Sequence, residues 1–477
     1  MIENFEEWFA VRDGHDDDSI WPGRLSFSKK NGVILEVIAF PDGGDLYQAP
    51  SCDTGTITGY LDYQRPTTIV NPWVQSQAGA RWGVDTPVMR AKARIVGSAI
   101  LKNIHLTDIN EACFTGISME LPSFSSWYAP KMVNTDFSLR DTKGPPAIEV
   151  GVDKPERCEF ILSDQTNVQV DSYARTSDEG AVTSVTQRTS LWLQFSEAAN
   201  YEAVLKRISR INTLFCFLLG HRMAQSPYRL HTTHTRTWND ESRSIVAELF
   251  IRPAFKSKTE HVEWHDALFT RHNCTLDACS ILNAAVEQPD ALFYLMNMVL
   301  LMEHSKKLSA NTFSEFIGCL EDFDQSVFGN GSSSDLRALR KSLKAVVAEH
   351  GTEVDKQALS DLIHRSPNRY SLAQRLGRLQ QAWSESGFRG SPEPKELVKL
   401  RNDISHGRAA TLEDDDYQKV LWFGYYLCAL SRFHIFRQLG LSAEDIGKAF
   451  CRVPHRYGMY APRSGADGSQ EARSETV

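Results

Sequence analysis

The sequence has no apolar run long enough to cross a membrane. Its strongest runs, Leu214 to Leu219 and Val420 to Leu430, are much shorter than the roughly 20 apolar residues that a membrane-spanning helix needs. The N-terminus, Met1 to Trp8, is acidic and lacks the basic segment and apolar core of an export signal. We therefore expect a soluble, cytoplasmic protein with no membrane partner.

A disulfide framework and a strong metal-binding motif are also missing. The cysteines number nine, which is odd, and no Cys-x-x-Cys pair occurs, so free thiols in a reducing compartment are the simplest interpretation. Cys274 and Cys279 follow His265 and His272, but a single pair of cysteines at this spacing is a weak zinc signal. We favour buried thiols there and expect no metal site and no cofactor.

A phosphate-binding loop and a globally basic surface are absent as well. No GxxxxGK segment occurs, and the net charge is −8. The balance reverses over 365–408, where nine basic residues (365, 369, 375, 378, 389, 395, 399, 401 and 408) stand against four acidic ones (385, 393, 396 and 403). A solvated helical surface and a groove that attracts phosphate groups both agree with this local excess.

The first half of the chain has the pattern of a β-rich domain. Leu25 and Phe27 alternate with polar residues, Asn31-Gly32 is a strong hairpin signal, and the alternation resumes at Val33. Turn-forming residues at 41–44 and 144–146 separate further strands. These strands are predicted at 93–101, 113–121, 159–162, 168–173, 190–195, 228–238 and 244–251, with one long apolar helix at 197–223.

The second half has the apolar spacing of helices. Loops are predicted at 329–334, which is rich in glycine and serine, and at 384–394. The helices are predicted at 291–308, 312–323, 334–349, 355–364, 372–383, 395–406 and 415–439. The sequence therefore predicts an α+β protein of several domains, with a β-rich sensor or regulatory domain at 1–260, an all-α helical bundle at 261–456 and a flexible tail at 457–477.

The segment from Pro394 to Gly407 has the pattern of an amphipathic helix with a polar face of unusual composition. Proline at the start and glycine after the end agree with the usual preferences at helix termini. At about 100° per residue, Asn402 and His406 fall on one face, one turn apart, and Arg401 lies to the side. The opposite face carries an apolar stripe of Leu397, Leu400 and Ile404.

These polar residue types suit the cutting of RNA without a metal. In that reaction the 2′-hydroxyl attacks the neighbouring phosphate, a base removes its proton, and an acid protonates the leaving 5′-oxygen. Histidine suits the proton steps because its pKa lies near neutrality, and arginine suits the charged phosphate because its planar fork matches phosphate oxygens. One histidine per chain is few for both steps, so two chains on a twofold axis would complete such a site. The alternative is a histidine placed there only by the helix dipole.

The segment from Leu397 to Gly407, LVKLRNDISHG, resembles the signature helix of HEPN domains. In that helix an arginine precedes a polar residue, and a histidine, commonly followed by glycine, comes a few positions later. Within this group the chain is most similar to the ApeA-like HEPN proteins of bacterial anti-phage defence. The similarity extends to the β-rich half, with its G-x-L-x-F pattern at Gly23 and its Trp127, and to an upstream helix that carries Glu303.

The resemblance implies a dimer or higher homo-oligomer that cuts tRNA or mRNA, leaves a 2′,3′-cyclic phosphate and acts as a growth-arresting toxin in abortive infection, with a phage protein as a trigger. By position, Arg401 would bind the scissile phosphate, Asn402 would orient that phosphate or His406, and His406 would be the general acid or base. Glu303 is a supporting candidate. Residues that would line the RNA path are Arg375, Arg378, Lys399 and Arg408.

Other interpretations stay open at this point. The helical domain is alternatively a non-catalytic module that binds RNA or protein, as some HEPN proteins are. A sugar-binding or adhesion protein built on the β-rich half has little support, because the export signal and disulfides are missing. Among the other histidines, His231 and His234 should face opposite sides of a strand and share no metal. His434 and His455 are expected at exposed positions, where they are structural or line the RNA path.

Overall fold

In the computed structural model, strands dominate the chain up to residue 252, and helices dominate it afterwards. The chain divides into an N-terminal unit (1–264, 270–272 and 277–287) and a helical unit (265–269, 273–276 and 288–477). The structure describes residues 5–12, 20–28, 30–39, 55–62, 64–81, 88–128, 133–138, 147–152, 155–179, 182–223, 227–252, 262, 265–305, 309–329, 334–358, 371–406 and 414–462.

The N-terminal unit contains the strands, all of which pair antiparallel within the described ranges. Their bounds are β1 Phe5–Arg12, β2 Ile20–Ser28, β3 Gly32–Ala39, β4 Thr56–Leu61, β5 Arg65–Val70, β6 Trp73–Arg81, β7 Val88–Gly97, β8 Ala99–Lys102, β9 Phe114–Met119, β10 Val133–Ser138, β11 Ala147–Val152, β12 Glu156–Ile161, β13 Asn167–Glu179, β14 Val182–Ala199, β15 Tyr228–Trp238 and β16 Glu241–Ile251. The main sheet has the order β12-β13-β14-β9-β15-β16-β8-β5-β4-β1-β2-β3-β7-β6, and β10 pairs with β11 separately.

The predicted hairpin of β2 and β3 is confirmed, and it supplies part of the core. Phe27 lies opposite Val33 in the register, and Gly32 begins β3 with a φ of +72°, which glycine adopts without strain. The alternating apolar residues of these strands face inward because one side of each strand is buried. The core cluster comprises Phe9, Leu25, Phe27, Val33, Leu35, Val37, Ile57, Leu61, Ile69, Ile95, Ile100 and Phe250.

Helices cover part of the N-terminal unit. They are α1 Pro122–Tyr128, α2 Tyr201–Leu219 and α3 Ala278–Glu287. The predicted long apolar helix is α2. Asn200 caps its start, because the Asn200 side chain accepts a hydrogen bond from the backbone N–H of Ala203, and Gly220 caps its end with a φ of 76°. Phe215 on α2 packs edge-on against Phe124 of α1, with 4.9 Å between the ring centroids. The residues expected at the start of this helix, 197–199, instead continue β14.

The helical unit is built from amphipathic helices, as the spacing predicts. Their bounds are α4 Asp290–His304, α5 Ala310–Phe328, α6 Ser334–His350, α7 with residues 353–358 described, α8 Leu372–Glu385, α9 Pro394–Ser405, α10 Asp414–Gln438, α11 Ala443–Arg452 and α12 Pro454–Tyr457. The α+β class, with a strand-rich part followed by a helical part, is confirmed. No helix of the described ranges has the length and apolarity to cross a bilayer.

The end of the helical unit is more ordered than the predicted tail. Tyr457 and Tyr460 are buried, because their rings pack against Phe450 and Trp383, respectively. A flexible tail that begins at residue 457 is therefore wrong for residues 457–462. The segments 41–44, 144–146, 330–333, 359–364 and 463–477, on which other predictions rest, lie outside the described residues. The proposed domain limit at 260 stays a prediction.

His434 is buried in α10, contrary to the exposed position expected from the sequence. Its side chain lies between Phe433 and Phe328, and its Nε2 is 2.9 Å from the carbonyl oxygen of Leu379, to which the neutral ring donates. Burial, together with the nearby charge of Arg437, lowers the pKa of His434 to about 4. The ring is therefore neutral in the folded protein at neutral pH and is not available to RNA.

This burial predicts that the helical unit loses stability in mild acid. Below the ordinary histidine pKa of about 6.5, the unfolded chain binds a proton that folded His434 excludes until about pH 4, so stability falls as pH falls through this window. Between pH 7 and 4 this histidine should lower the unfolding free energy by on the order of 3 kcal/mol, and replacing His434 with Gln should remove that loss. Urea unfolding at several pH values between 7 and 4, monitored by the circular dichroism signal of the helices, measures how the unfolding free energy changes with pH. If the unfolding free energy of H434Q changed with pH as it does in the wild type and in the exposed control H350Q, His434 would not be the cause of the acid destabilisation.

Candidate functional site

The amphipathic helix expected near residue 400 is α9, and its apolar stripe is confirmed. Pro394 occupies the first turn, and the backbone N–H of His406 caps the end by donating to the carbonyl oxygen of Asn402 at 2.9 Å. α9 packs against α5 and α8. The side chains that face these helices are buried, and they are Leu397, Leu400 and Ile404.

The polar side chains of α9 lie at its C-terminal end. Arg401 and Asn402 are partly buried and His406 is exposed. One terminal nitrogen of Arg401, Nη1, donates to the amide oxygen of Asn402 at 3.3 Å. The Nε of Arg401 is buried and has no hydrogen-bond partner among the described groups. A buried guanidinium N–H without an acceptor is unfavourable, so the guanidinium of Arg401 lacks one of its possible hydrogen bonds within the described part of the chain.

A hydrogen bond between two serines connects the end of α9 to α5. The hydroxyl groups of Ser405 and Ser314 lie 3.1 Å apart, and either one can donate. The residue after Ser405 is His406, so the bond limits the movement of the histidine relative to α5. These serines were not identified from the sequence, because nothing in the local pattern indicates which residue faces Ser405.

Two arginines that were expected to line the RNA path have a structural role instead. Arg375 is 1% exposed and Asp324 is fully buried, with 3.2 Å between Arg375 Nη1 and Asp324 Oδ2. Arg378 also binds Asp324, and its guanidinium lies over the ring of Phe328. The RNA-binding role predicted for Arg375 is therefore wrong for this structure, because its charge faces a buried carboxylate rather than solvent.

The remaining residues that were predicted to bind RNA differ in exposure and in whether their charge is paired. Lys399 is exposed on α9, so its charge is accessible to a polyanion. Arg378 keeps about a third of its side chain exposed, at 32%, while its charge is paired with Asp324. Arg408, like Gly407, lies outside the described residues. His455 is exposed beside Arg456 at the start of α12.

Glu303, the supporting candidate on α4, lies in a buried ion pair. Arg432 of α10 donates to it from Nε at 2.7 Å and from Nη2, and the hydroxyl of Tyr457 also donates to Glu303. Burial alone would raise the pKa of Glu303, but the charge and hydrogen bonds of Arg432 outweigh it and lower that pKa. A carboxylate held ionised by three donors connects α4 to α10 and is poorly suited to proton transfer.

Among the described residues, the group of side chains that lie close enough together to hold one metal ion is in the N-terminal unit and not on α9. They are Glu111, Cys113 and His234. His231 has a different neighbour, since its ring is 5.8 Å from that of Trp192.

Comparison with known families shows which family the chain belongs to. The family model described as ApeA N-terminal domain 1 matches residues 7–284, which is more than half of the chain. The chain belongs to the ApeA-like HEPN family. A second family model, described as Apea-like HEPN, matches residues 315–445 of this ApeA-like chain and so includes all of α8 and α9. Glu303 precedes that match. Comparisons with curated proteins and with solved structures found no match.

Removing Asp324 should destabilise the helical unit, because its carboxylate pairs with two arginines of α8. D324A would leave Arg375 buried without its main partner, which typically costs about 3–5 kcal/mol. D322A, an exposed aspartate two residues earlier on the same helix, should change the unfolding free energy by less than about 0.5 kcal/mol. Urea unfolding of both variants measures the difference. Equal stability of D324A and the wild type would show that Arg375 does not depend on Asp324 and would reopen its role in RNA binding.

Proposed function

We propose that this ApeA-like protein is an endoribonuclease that cuts RNA without a metal and protects a bacterial population from phage. Membership of the family gives an RNA-related, defence-type function. The observation that supports cutting in particular is the grouping of Arg401, Asn402 and His406 at one end of α9. These are the residue types that phosphate binding and proton transfer need.

Arg401 and Asn402 bind the phosphate in this proposal. Asn402 accepts one N–H of Arg401, which orients the guanidinium. The charge of this guanidinium would attract a phosphoryl oxygen and would stabilise the negative charge that builds on the oxygens of the pentacoordinate phosphorane. Lysine at position 401 would keep the charge but lose the planar fork.

His406 transfers protons in this proposal. A base takes the proton of the 2′-hydroxyl, whose oxygen forms a new bond to phosphorus. The bond from phosphorus to the 5′-oxygen breaks, and an acid delivers a proton to that leaving oxygen. The products are a 2′,3′-cyclic phosphate and a 5′-hydroxyl end, with no net consumption of water. His406 is exposed, so a substrate can reach its ring.

A second copy of the chain supplies the second proton-transfer group. Each chain contributes one His406, and an isologous dimer with α9 near its twofold axis would bring two histidines and two arginines to one cleft. HEPN domains commonly dimerise and bind RNA. We further propose that the N-terminal unit restrains the nuclease until a phage component is bound.

Cleavage by point variants in the presence of a chelator tests this proposal. RNA cutting by H406A should fall by about 10²–10⁴-fold relative to the wild type, with RNA binding retained, because the variant loses a proton-transfer group and no packing. The matched control is H350A, an exposed histidine of the same unit, which should cut as the wild type does. The rate of RNA cutting by R401K should lie between those of H406A and the wild type.

The assay is run with and without phage lysate, and the ends of the products are identified. Cyclic phosphate ends from the wild type alone support the proposal. Equal cutting by H406A and the wild type would contradict the role of His406. Absence of cutting by every protein under every condition, with RNA binding intact, would favour the non-catalytic binding module instead.

A further inference from the structure

Three side chains of the N-terminal unit bring nitrogen, sulfur and oxygen donors to one place. One ligand atom each from Glu111, Cys113 and His234 lies within 4.8 Å of the others. The Nε2 of His234 is 2.9 Å from a carboxylate oxygen of Glu111. Residues 111 and 234 are far apart in the sequence, so the fold rather than the local pattern creates this cluster.

The backbone around the cluster is well defined. Cys113 N–H donates to the carbonyl oxygen of Glu111 at 3.1 Å, which closes a tight turn and brings the two side chains together. The carbonyl of Cys113 in turn accepts a hydrogen bond from Thr233 N–H at 2.8 Å, beside His234. The pairing of β15 with both of its neighbours shifts register after His231, and such bulges redirect side chains.

The loop that carries Glu111 and Cys113 is anchored to neighbouring strands. Thr68 uses its hydroxyl group both to donate to the carbonyl oxygen of Ile104 at 2.9 Å and to accept from Leu106 N–H at 2.8 Å. Thr56 donates to the carbonyl oxygen of Thr107 at 3.1 Å. Ligands on an anchored loop need little reorganisation to bind an ion, which favours affinity.

We propose that Glu111, Cys113 and His234 bind a zinc ion. In a tetrahedral zinc site with bond lengths of about 2.0–2.3 Å, the ligand atoms lie about 3.3–3.7 Å apart, and the observed cluster can reach this by small side-chain rotations. The thiol and imidazole groups exclude magnesium and calcium, which prefer oxygen ligands. The site is distinct from α9 and independent of the nuclease proposal.

The exposure of the three ligands indicates an open fourth position. Cys113 is 1% exposed, whereas the side chains of His234 and Glu111 are 33% and 39% exposed. The ion would therefore be covered on the thiolate side and would face solvent on the other. Three protein ligands with one open position are the arrangement in which zinc binds water or an incoming donor group.

Cobalt binding to the full-length protein tests the site. The protein is stripped with a chelator, dialysed free of it, and titrated with Co²⁺, which occupies zinc sites and gives a thiolate charge-transfer band when cysteine is a ligand. The wild type should bind a single ion per chain with this band, and added Zn²⁺ should displace the cobalt. C113S and H234Q should lose the band, and E111Q should bind more weakly.

Matched controls separate this site from adventitious binding. C158S removes an exposed cysteine of the same unit, and H231Q removes the other histidine of β15, so both should bind cobalt as the wild type does. A wild-type protein without a charge-transfer band, or a C113S variant with an unchanged band, would overturn the proposal. The wild-type spectrum decides even if a variant fails to fold. Cutting in chelator is measured separately, so failure of one proposal leaves the other standing.

Discussion

A buried carboxylate determines the geometry of the helical unit around the candidate site. Asp324 on α5 binds both Arg375 and Arg378 of α8, and α9 packs against these same two helices. Because Asp324 is fully buried, the pair is stable only while both partners are in place, so it specifies how α5 and α8 meet. The helix that carries Arg401 and His406 therefore packs on two helices that this ion pair connects.

A second buried ion pair has the same role farther from α9. Glu303 of α4 and Arg432 of α10 are nearly inaccessible, at 7% and 0% of their side chains, and Tyr457 of α12 joins them. Three charged residues that looked functional in the sequence, Glu303, Arg375 and Arg378, thus form ion pairs that connect helices. Lys399 on α9, by contrast, is exposed, so its charge is accessible to a polyanion.

Apolar spacing was enough to predict the elements that position the site. The stripe of Leu397, Leu400 and Ile404 predicted both the helix and its buried side, because burial of one face is what stabilises such a helix. The β2–β3 hairpin was predicted for a similar reason, since alternation and Asn31-Gly32 specify a turn and an inward face.

Long-range pairing was not predictable in the same way. Arg375 looked like an RNA-binding residue because its partner, Asp324, is 51 positions away. His434 looked exposed because α10 is buried on almost every side, and no periodic pattern then distinguishes a buried histidine from a surface one. Glu111 and His234, 123 positions apart, meet only through the pairing of β9 with β15.

If the polar end of α9 promotes attack by the 2′-hydroxyl of RNA, as we propose, cutting requires that hydroxyl at the cut site. A test uses an RNA with a single 2′-deoxy sugar at a mapped cut site, incubated with the wild-type protein in chelator. This RNA should bind normally and should not be cut at that site, while other sites are cut as before. Continued cutting at the deoxy position would show that the 2′-hydroxyl is not the nucleophile and that the proposed mechanism is wrong.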